Sequence, residues 1–465
     1  MSAGDAGFRW AAKARASVAI CLAGAVAGVG LYAGNDAFIQ EITQAVPACL
    51  SACVTDGSYV FNPAMASVER DIAAEDAQVR AEHTPYVSVA LLEPFTYTAS
   101  GGVPLGQMVD EMRGAYLAQR AVNAQPSFGV QLLLANEGTG DEEFSVQAVR
   151  QLESLESPDH LVAVTGMGID VAGTAEAARE LAADQMPMFG TATGDGFNSQ
   201  QFPGFDQVIP ALGAQVSALM AILRARPGAL SRSPVLVTGQ VSDSRVNDLQ
   251  ADILHDLGRF QNMYPISSVQ SAASVQSALI AESVCSAKTP PSVFYAGRAE
   301  VLTALILRFQ ITPECAGEKI TIITADDADS LNPSATLTSG SGAQVSVVYT
   351  GIANPSELTS AFVTSYKRYL ATADPGSAGL SDAWTIATYN AMMAAGDAIT
   401  DLTTARGDTG TPTKPAVEAL TGLLRGIFAP QGATGPFSLG PNGQLLNPSI
   451  PVFEDADGTR TLVRI

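Results

Sequence analysis

From Tyr86 to Thr324 the chain alternates two hydrophobic periods, and this alternation constrains the fold more than any other feature. Short apolar runs read as strands: "YVSVALL", "GVQLLLAN", "HLVAVTG" and "MPMFGT", then "PVLVTG", "SVFYAG" and "KITIIT". Helical text lies between them. "LGQMVDEMRGAYLAQRAV" sets Leu105, Met108, Val109, Met112 and Tyr116 at helical spacing. "EEFSVQAVRQLES", "GTAEAARELAAD", residues 213–226, "RVNDLQADILHDL", residues 271–283 and "EVLTALILRF" follow the same pattern. Strand and helix in alternation mean a parallel sheet with helices on both faces. The rhythm pauses and restarts near residue 212, so two α/β domains of similar design are expected. After residue 355 the text turns helical, and it closes on β-like segments with a strong turn signal at Asn442-Gly443.

The amino end is a separate object. "ASVAICLAGAVAGVGLYA", residues 16–33, is an uncharged apolar run long enough to cross a bilayer. Arg9, Lys13 and Arg15 precede it, and the next basic residue is Arg70. That asymmetry puts residues 1–15 in the cytosol and the bulk of the chain outside, as a single-pass membrane protein. A retained signal anchor is favoured over a cleaved signal peptide, because the run is long for a signal sequence and no small-x-small cleavage site follows it closely. Residues 34–85 read as a linker and a helix. That helix is expected to open at Asn62 and Pro63 and to bury Met65, Val68, Ile72 and Val79 on one face.

The 465 residues carry 25 Lys and Arg against 46 Asp and Glu, a formal charge of −21, which excludes a nucleic-acid partner. Five cysteines are present. Cys21 sits in the apolar run, which leaves Cys49, Cys53, Cys285 and Cys315 as disulfide candidates in an oxidising space. Cys49 and Cys53 are close enough to pair, and Cys285 and Cys315 bracket "SVFYAG" and could be joined beneath it, but three pairings are open. The three histidines, His83, His160 and His255, are far apart. There is no G-x-S-x-G, P-loop or metal triad, so neither an enzyme nor a metal or other cofactor is expected.

Ligands of open parallel sheets bind outside the carboxyl ends of the strands. The residues after each strand are therefore the candidates: Phe95, Tyr97 and Ser100, Gly168 and Asp170, Thr191, Thr193 and Asp195, the stretch "GQVSDSR" with Arg245, then Arg298, and Asp326 with Asp327. An arginine offers a planar fork that suits a carboxylate, and the acids suit an amine. Arg298 has an equally good second reading, as the ion-pair partner of Asp326 or Asp327. For Arg245 a surface or structural role is favoured.

The segments "VSVALLEPF…QMVDEMRGAYLAQRAVN", "LVAVTGMGIDVAGTAEAARELAADQMPMFGT", "AWTIATYNAMMAAGDAI" and "GATGPFSLGPNGQ" together resemble the type 1 periplasmic binding proteins of ABC transporters, the leucine/isoleucine/valine-binding class. The resemblance runs from about Tyr86 to the carboxyl end. It implies a two-lobed α/β fold, each lobe a parallel sheet flanked by helices, preceded here by the transmembrane segment. Lobe one would hold residues 86–212 and 353–432, lobe two 213–352 and 433–465. Ligand would lie between lobes that close by hinge motion. Amino-acid binders of this class usually carry a serine where Ile169 or Asp170 stands and a tyrosine where Arg298 stands and again near Arg245. They usually carry an acid for the ligand amine near Asp326 or Asp327. Thr191, Ala192 and Thr193 fit the small-plus-Thr loop. The resemblance implies capture of a small polar solute, amino-acid-like or anionic, for an ABC permease. The alternative is a tethered sensor or non-transport binding module that acts through a partner protein.

Overall fold

Val87, Val89 and Leu91 enter one hydrophobic core, while Ala90 and Leu92 enter another. One strand thus serves two layers, because successive side chains of an extended chain point to opposite faces. The computed structural model describes Cys49 and residues 52–463, leaving aside 83–84, 97–102, 126–127, 141, 168–169, 171, 192–193, 229, 231–232, 240–242, 288–290, 338–339, 374–382, 405–410 and 425–428. Residues 1–49 form one unit and 50–465 another. The apolar run 16–33, with the expected anchor, lies outside the described residues. Among the described residues no helix is long and apolar enough to cross a membrane.

The first sheet holds β1 (Ala52–Thr55), β2 (Tyr86–Glu93), β3 (Gly129–Glu137), β4 (Leu161–Gly166), β5 (Met188–Gly190) and β6 (Phe205–Gln207). Their spatial order is β1-β3-β2-β4-β5-β6. All pairings are parallel except the edge strand β1, which runs antiparallel to β3. Both faces of β2 and β3 are covered, which is why they read as nearly continuous apolar text. The second sheet holds β7 (Val235–Thr238), β8 (Asn262–Pro265), β9 (Val293–Ala296), β10 (Lys319–Thr324) and β11 (Gln344–Thr350). After the small hairpin β12 (Gln431–Gly432) and β13 (Gly435–Pro436), the strands β14 (Val452–Ala456) and β15 (Thr459–Leu462) add antiparallel to β11. The order is β15-β14-β11-β10-β9-β7-β8. Val235, Val237, Val293 and Tyr295 face one core of this sheet, and Leu236, Phe294 and Ala296 the other.

The chain passes between the sheets after β6, after β11 and before β14. Ile209 and Ile352, from the first two passages, pack with Ala383, Trp384 and Ala387 of the helix Ala383–Thr404. Polar links knit the same place. The Thr350 hydroxyl donates to Gln215 Oε1 at 2.8 Å, and Gly351 N–H donates to the Pro451 carbonyl at 2.9 Å. The helix Ala383–Thr404 lies against the helix Leu105–Asn123 so closely that a Cβ on Gly114 would sit 2.3 Å from the Thr385 carbonyl oxygen.

Three expectations shift. The amino-terminal helix spans Ala66–Ala81, because the Asn62 carbonyl and side chain first close a turn onto Met65 N and Ala64 N. Met65, Val68, Ile72 and Val79 are nonetheless all buried, and the helix joins the core of the first sheet with β1 at its edge. Strand β11, "QVSVVYT", had not been expected. The segment around Asn442-Gly443 does turn, with Gly443 at φ 75° and Leu439 bridged to Leu445. It sits beside the first sheet, since Gln444 bridges Gln207 and Ala433 and Leu439 enter that core, rather than opening the second lobe at 433.

Candidate functional site

Asp243 ends the loop after β7 and caps the helix Ser244–Leu257, accepting Val246 N–H at 3.2 Å. Its two carboxylate oxygens also take the Arg298 fork, Nε at 2.6 Å and Nη2 at 2.9 Å. Arg298 follows β9 and begins the helix Ala299–Ile311, and its carbonyl accepts the buried Tyr295 hydroxyl at 2.8 Å. Two residues after Asp243, Arg245 takes different partners. It pairs with Asp326, and with Asp327 at 3.2 Å, both in the loop after β10. Asp327 also lies 3.5 Å from Arg298 Nη1, so it joins the two arginines. Burial works against the charge of Arg298, but the Asp327 and Asp243 carboxylates more than reverse this and hold its pKa well above the usual range. Both guanidiniums are therefore satisfied from within the second sheet. Neither is held out to a ligand.

The first sheet meets this network through Asp170, in the loop after β4. Ser244 Oγ donates to the Asp170 carboxylate, and lies 3.0 Å from its carbonyl oxygen. Burial raises the Asp170 pKa, against the lowering effect of the Ser244 hydroxyl and Arg298. Beyond Ser244 the helix carries Asp248 and Asp252, four residues apart and so on one face. Asp195, from the loop after β5, accepts Gly213 N–H at 2.9 Å. Burial, and then the charges of Asp170 and Asp195, push Asp248 up to about 6. Burial, and then Asp195 and Asp248, push Asp252 up to about 6.

The sequence-expected residues thus divide. Asp170, Arg245, Arg298, Asp326 and Asp327 converge where the carboxyl ends of the two sheets meet. Thr191 is fully buried and donates to the Gly166 carbonyl at 3.2 Å, so its hydroxyl serves the sheet. Tyr97, Ser100, Gly168 and Thr193 lie outside the described residues. Asp243 and Ser244 lie in the candidate stretch "GQVSDSR" but were not singled out within it, and Asp248 and Asp252 escaped sequence reasoning. The signals were present, an N-cap residue and an i, i+4 acid pair, but each has an everyday helical explanation. The Cys285–Cys315 bond is formed, and Cys49 and Cys53 are both disulfide-bonded. Among the described residues no cluster of three or more His, Cys, Asp or Glu is arranged to hold a metal ion.

No family model matches the chain, and no curated protein matches it in sequence. Solved structures do match. A leucine-binding protein, LivK, of Thermotoga maritima MSB8 superposes with a TM-score of 0.59 at 15% identity, over 81% of this chain and 98% of that one. The chain has the fold of the periplasmic solute-binding proteins. A branched-chain amino acid transporter substrate-binding protein, LivJ, of Streptococcus pneumoniae in complex with isoleucine gives 0.59 at 10% identity, over 81% and 99%. A solute-binding protein of an ABC transporter from Rhodopseudomonas palustris BisB5, in complex with 3,4-dihydroxybenzoic acid, gives 0.58 at 14% identity, over 81% and 95%. These neighbours are described as binding proteins and not as enzymes. Where the two sheets meet, the acids Asp170, Asp195, Asp243, Asp248, Asp252, Asp326 and Asp327 outnumber the arginines Arg245 and Arg298.

Proposed function

We propose that the chain is an extracytoplasmic solute-binding protein, tethered by residues 16–33, that captures a small polar solute between its lobes for an ABC permease. The observation that carries this reading is the convergence of charged loops from both sheets, joined by Ser244 and Asp170, at the carboxyl strand ends where open sheets take ligands. The match of nearly the whole length of known binding proteins supports it. The passages near Ile209, Ile352 and Trp384 supply a place for hinge motion. The second reading is a binding fold that acts through a protein partner, as a sensor or non-transport module. The self-paired Arg245 and Arg298 favour that alternative, because they offer no free cation to an anionic solute.

The test is thermal unfolding of the full chain against amino acids, amines, organic anions and short peptides. At 100 times its dissociation constant a ligand adds about 2.7 kcal/mol, which raises the melting point by a few degrees. A shift supports solute capture. No shift from any compound class supports the non-transport module that acts through a protein partner instead.

A further inference from the structure

The helices Gln270–Cys285 and Ala299–Ile311 lie side by side on one face of the second sheet. Ala273, Ile280 and Ala281 of the first, with Leu302, Leu305 and Phe309 of the second, enter the core beneath. Their outer faces are apolar as well. Val275 and Leu279 are each 62% exposed, Leu307 52% and Ile311 43%. Each pair is four residues apart and so shares one helix face. The register of the two helices joins the pairs. Arg308 donates to Ser274 Oγ, and Cys315 Sγ lies 3.6 Å from the Ala281 carbonyl oxygen. Both contacts span 34 residues, so each residue of the first helix stands beside the one 34 later in the second. Val275 then falls level with Phe309, between Leu307 and Ile311, and Leu279 follows one turn further along. The four side chains form one patch. The Cys285–Cys315 bond ties the helices together at that end and fixes the patch.

We infer that this patch is where two copies of the chain pair about a two-fold axis. The inference goes beyond the solute-binding reading and does not depend on it. The four side chains expose on the order of 400 Å² of contiguous surface, and patches of that size on a monomer are commonly interaction sites. An interface core is about 65% apolar, so the patch with its polar rim covers about 600 Å² per copy, or about 1,200 Å² in all. That clears the roughly 1,000 Å² a specific interface needs and falls short of the standard size, which fits a reversible dimer with a dissociation constant of micromolar order. Charge selects a second copy over other occupants. The chain carries −21, so a basic partner is drawn to its acidic surface, whereas a second copy is repelled everywhere except at a face of low charge. The exposed acids of these two helices, Glu282 and Glu300, stand at opposite ends of the patch. By the register above, Glu282 is level with Ala316, about four turns beyond Glu300. A two-fold through the middle of the patch therefore sets apolar residues against apolar residues, and no acid directly opposite its own counterpart.

The experiment is sedimentation velocity of the full chain over about 1–200 μM, in one non-ionic detergent throughout, at about 50 and about 500 mM sodium chloride. The parent is expected to pass from monomer to dimer, and more readily at high salt, because screening weakens the repulsion between acidic chains and leaves apolar contact intact. Its melting point should rise with protein concentration, a readout that needs no variant. Val275→Asp with Leu307→Asp should raise the dissociation constant at least about tenfold, since pairing would then bury carboxylates without partners. Both positions face solvent in the monomer, so the melting point at low concentration should be kept. Val60→Asp, at an exposed apolar position before the helix Ala66–Ala81, should leave the dimer unchanged. The apolar run 16–33 is common to all these chains, so only the patch separates them. A parent that stays monomeric with a melting point independent of concentration would overturn the inference. So would a dimer that survives Val275→Asp with Leu307→Asp, or one that weakens as salt is added.

Discussion

Arg298 and Asp243 form a two-point ion pair, with Nε and Nη2 of one on both carboxylate oxygens of the other at 2.6 and 2.9 Å. The pair ties the loop after β9 to the start of the helix that carries Arg245, Asp248 and Asp252. It is a strut within the second sheet, and it sets the face that the sheet presents to Asp170.

Arg298→Ala should therefore act on stability before it acts on ligand. The arginine side chain is 12% exposed, and its removal leaves Asp243 and Asp327 without their shared cation. Breaking a buried pair of this kind costs about 3 kcal/mol. Urea unfolding of Arg298→Ala and of Arg298→Met with Asp243→Leu would show it. The double variant is expected to recover part of the loss, and additive losses would mean that the pair is not coupled.

The protein should be more stable near pH 5 than near pH 8. Asp76 is fully buried, accepts Gln119 Nε2 at 2.6 Å and Leu132 N–H at 3.0 Å, and is pushed by burial up to about 7. Burial likewise pushes Glu69 and Glu137 up to about 7. Each pKa is raised above its unfolded value, so the folded state binds more protons. The stabilisation is present below about pH 4 and is lost as pH rises through about 7. For Asp76 the loss is roughly 4 kcal/mol at most. Asp76→Asn keeps the acceptor oxygen and removes the proton, so it should match the parent near pH 5 and exceed it near pH 8. Equal stability of the two proteins at both pH values would contradict this.

Replacing Cys285 and Cys315 together by alanine should lower stability by about 3 kcal/mol, because the bond closes a loop of 30 residues in the unfolded chain. Reduction by dithiothreitol, which also opens the bonding of Cys49 and Cys53, should lower stability at least as far. A melting point unmoved by either treatment would show that the bond contributes nothing net.

Gly194→Ala should loosen the contact between the two sheets. The added Cβ would meet Asp170 Oδ2 at 2.4 Å, and the carboxylate is too buried to swing away freely. Its hydrogen bond from Ser244 is the expected casualty. Small-angle scattering should then report a larger radius of gyration than the parent, whereas an identical curve would place the strain elsewhere.

The division of the chain into two parallel sheets was legible in the sequence, because hydrophobic period is a local property and each buried strand must declare it. Val87, Val89 and Leu91 against Ala90 and Leu92 do so within one short run. The loops that carry function could be located by the same logic, since carboxyl strand ends follow from strand direction. Asp170, Arg245, Arg298, Asp326 and Asp327 were all found that way. Less was legible where elements were short or borrowed their burial. Strand β8 is largely exposed, and β14 and β15 reach their sheet from far along the chain.

What the sequence alone determined was therefore the layers and the list of charges at their edges. Only the tertiary structure decided which charges meet. Arg298 had Asp326 and Asp327 as its expected partners, yet Asp243, 55 residues earlier, holds it most closely. Asp170 finds Ser244 across 74 residues, from the other sheet. Coulomb attraction depends on distance and burial and carries no sequence period. Pairs that form between loops leave no pattern to read until the fold has brought the loops together.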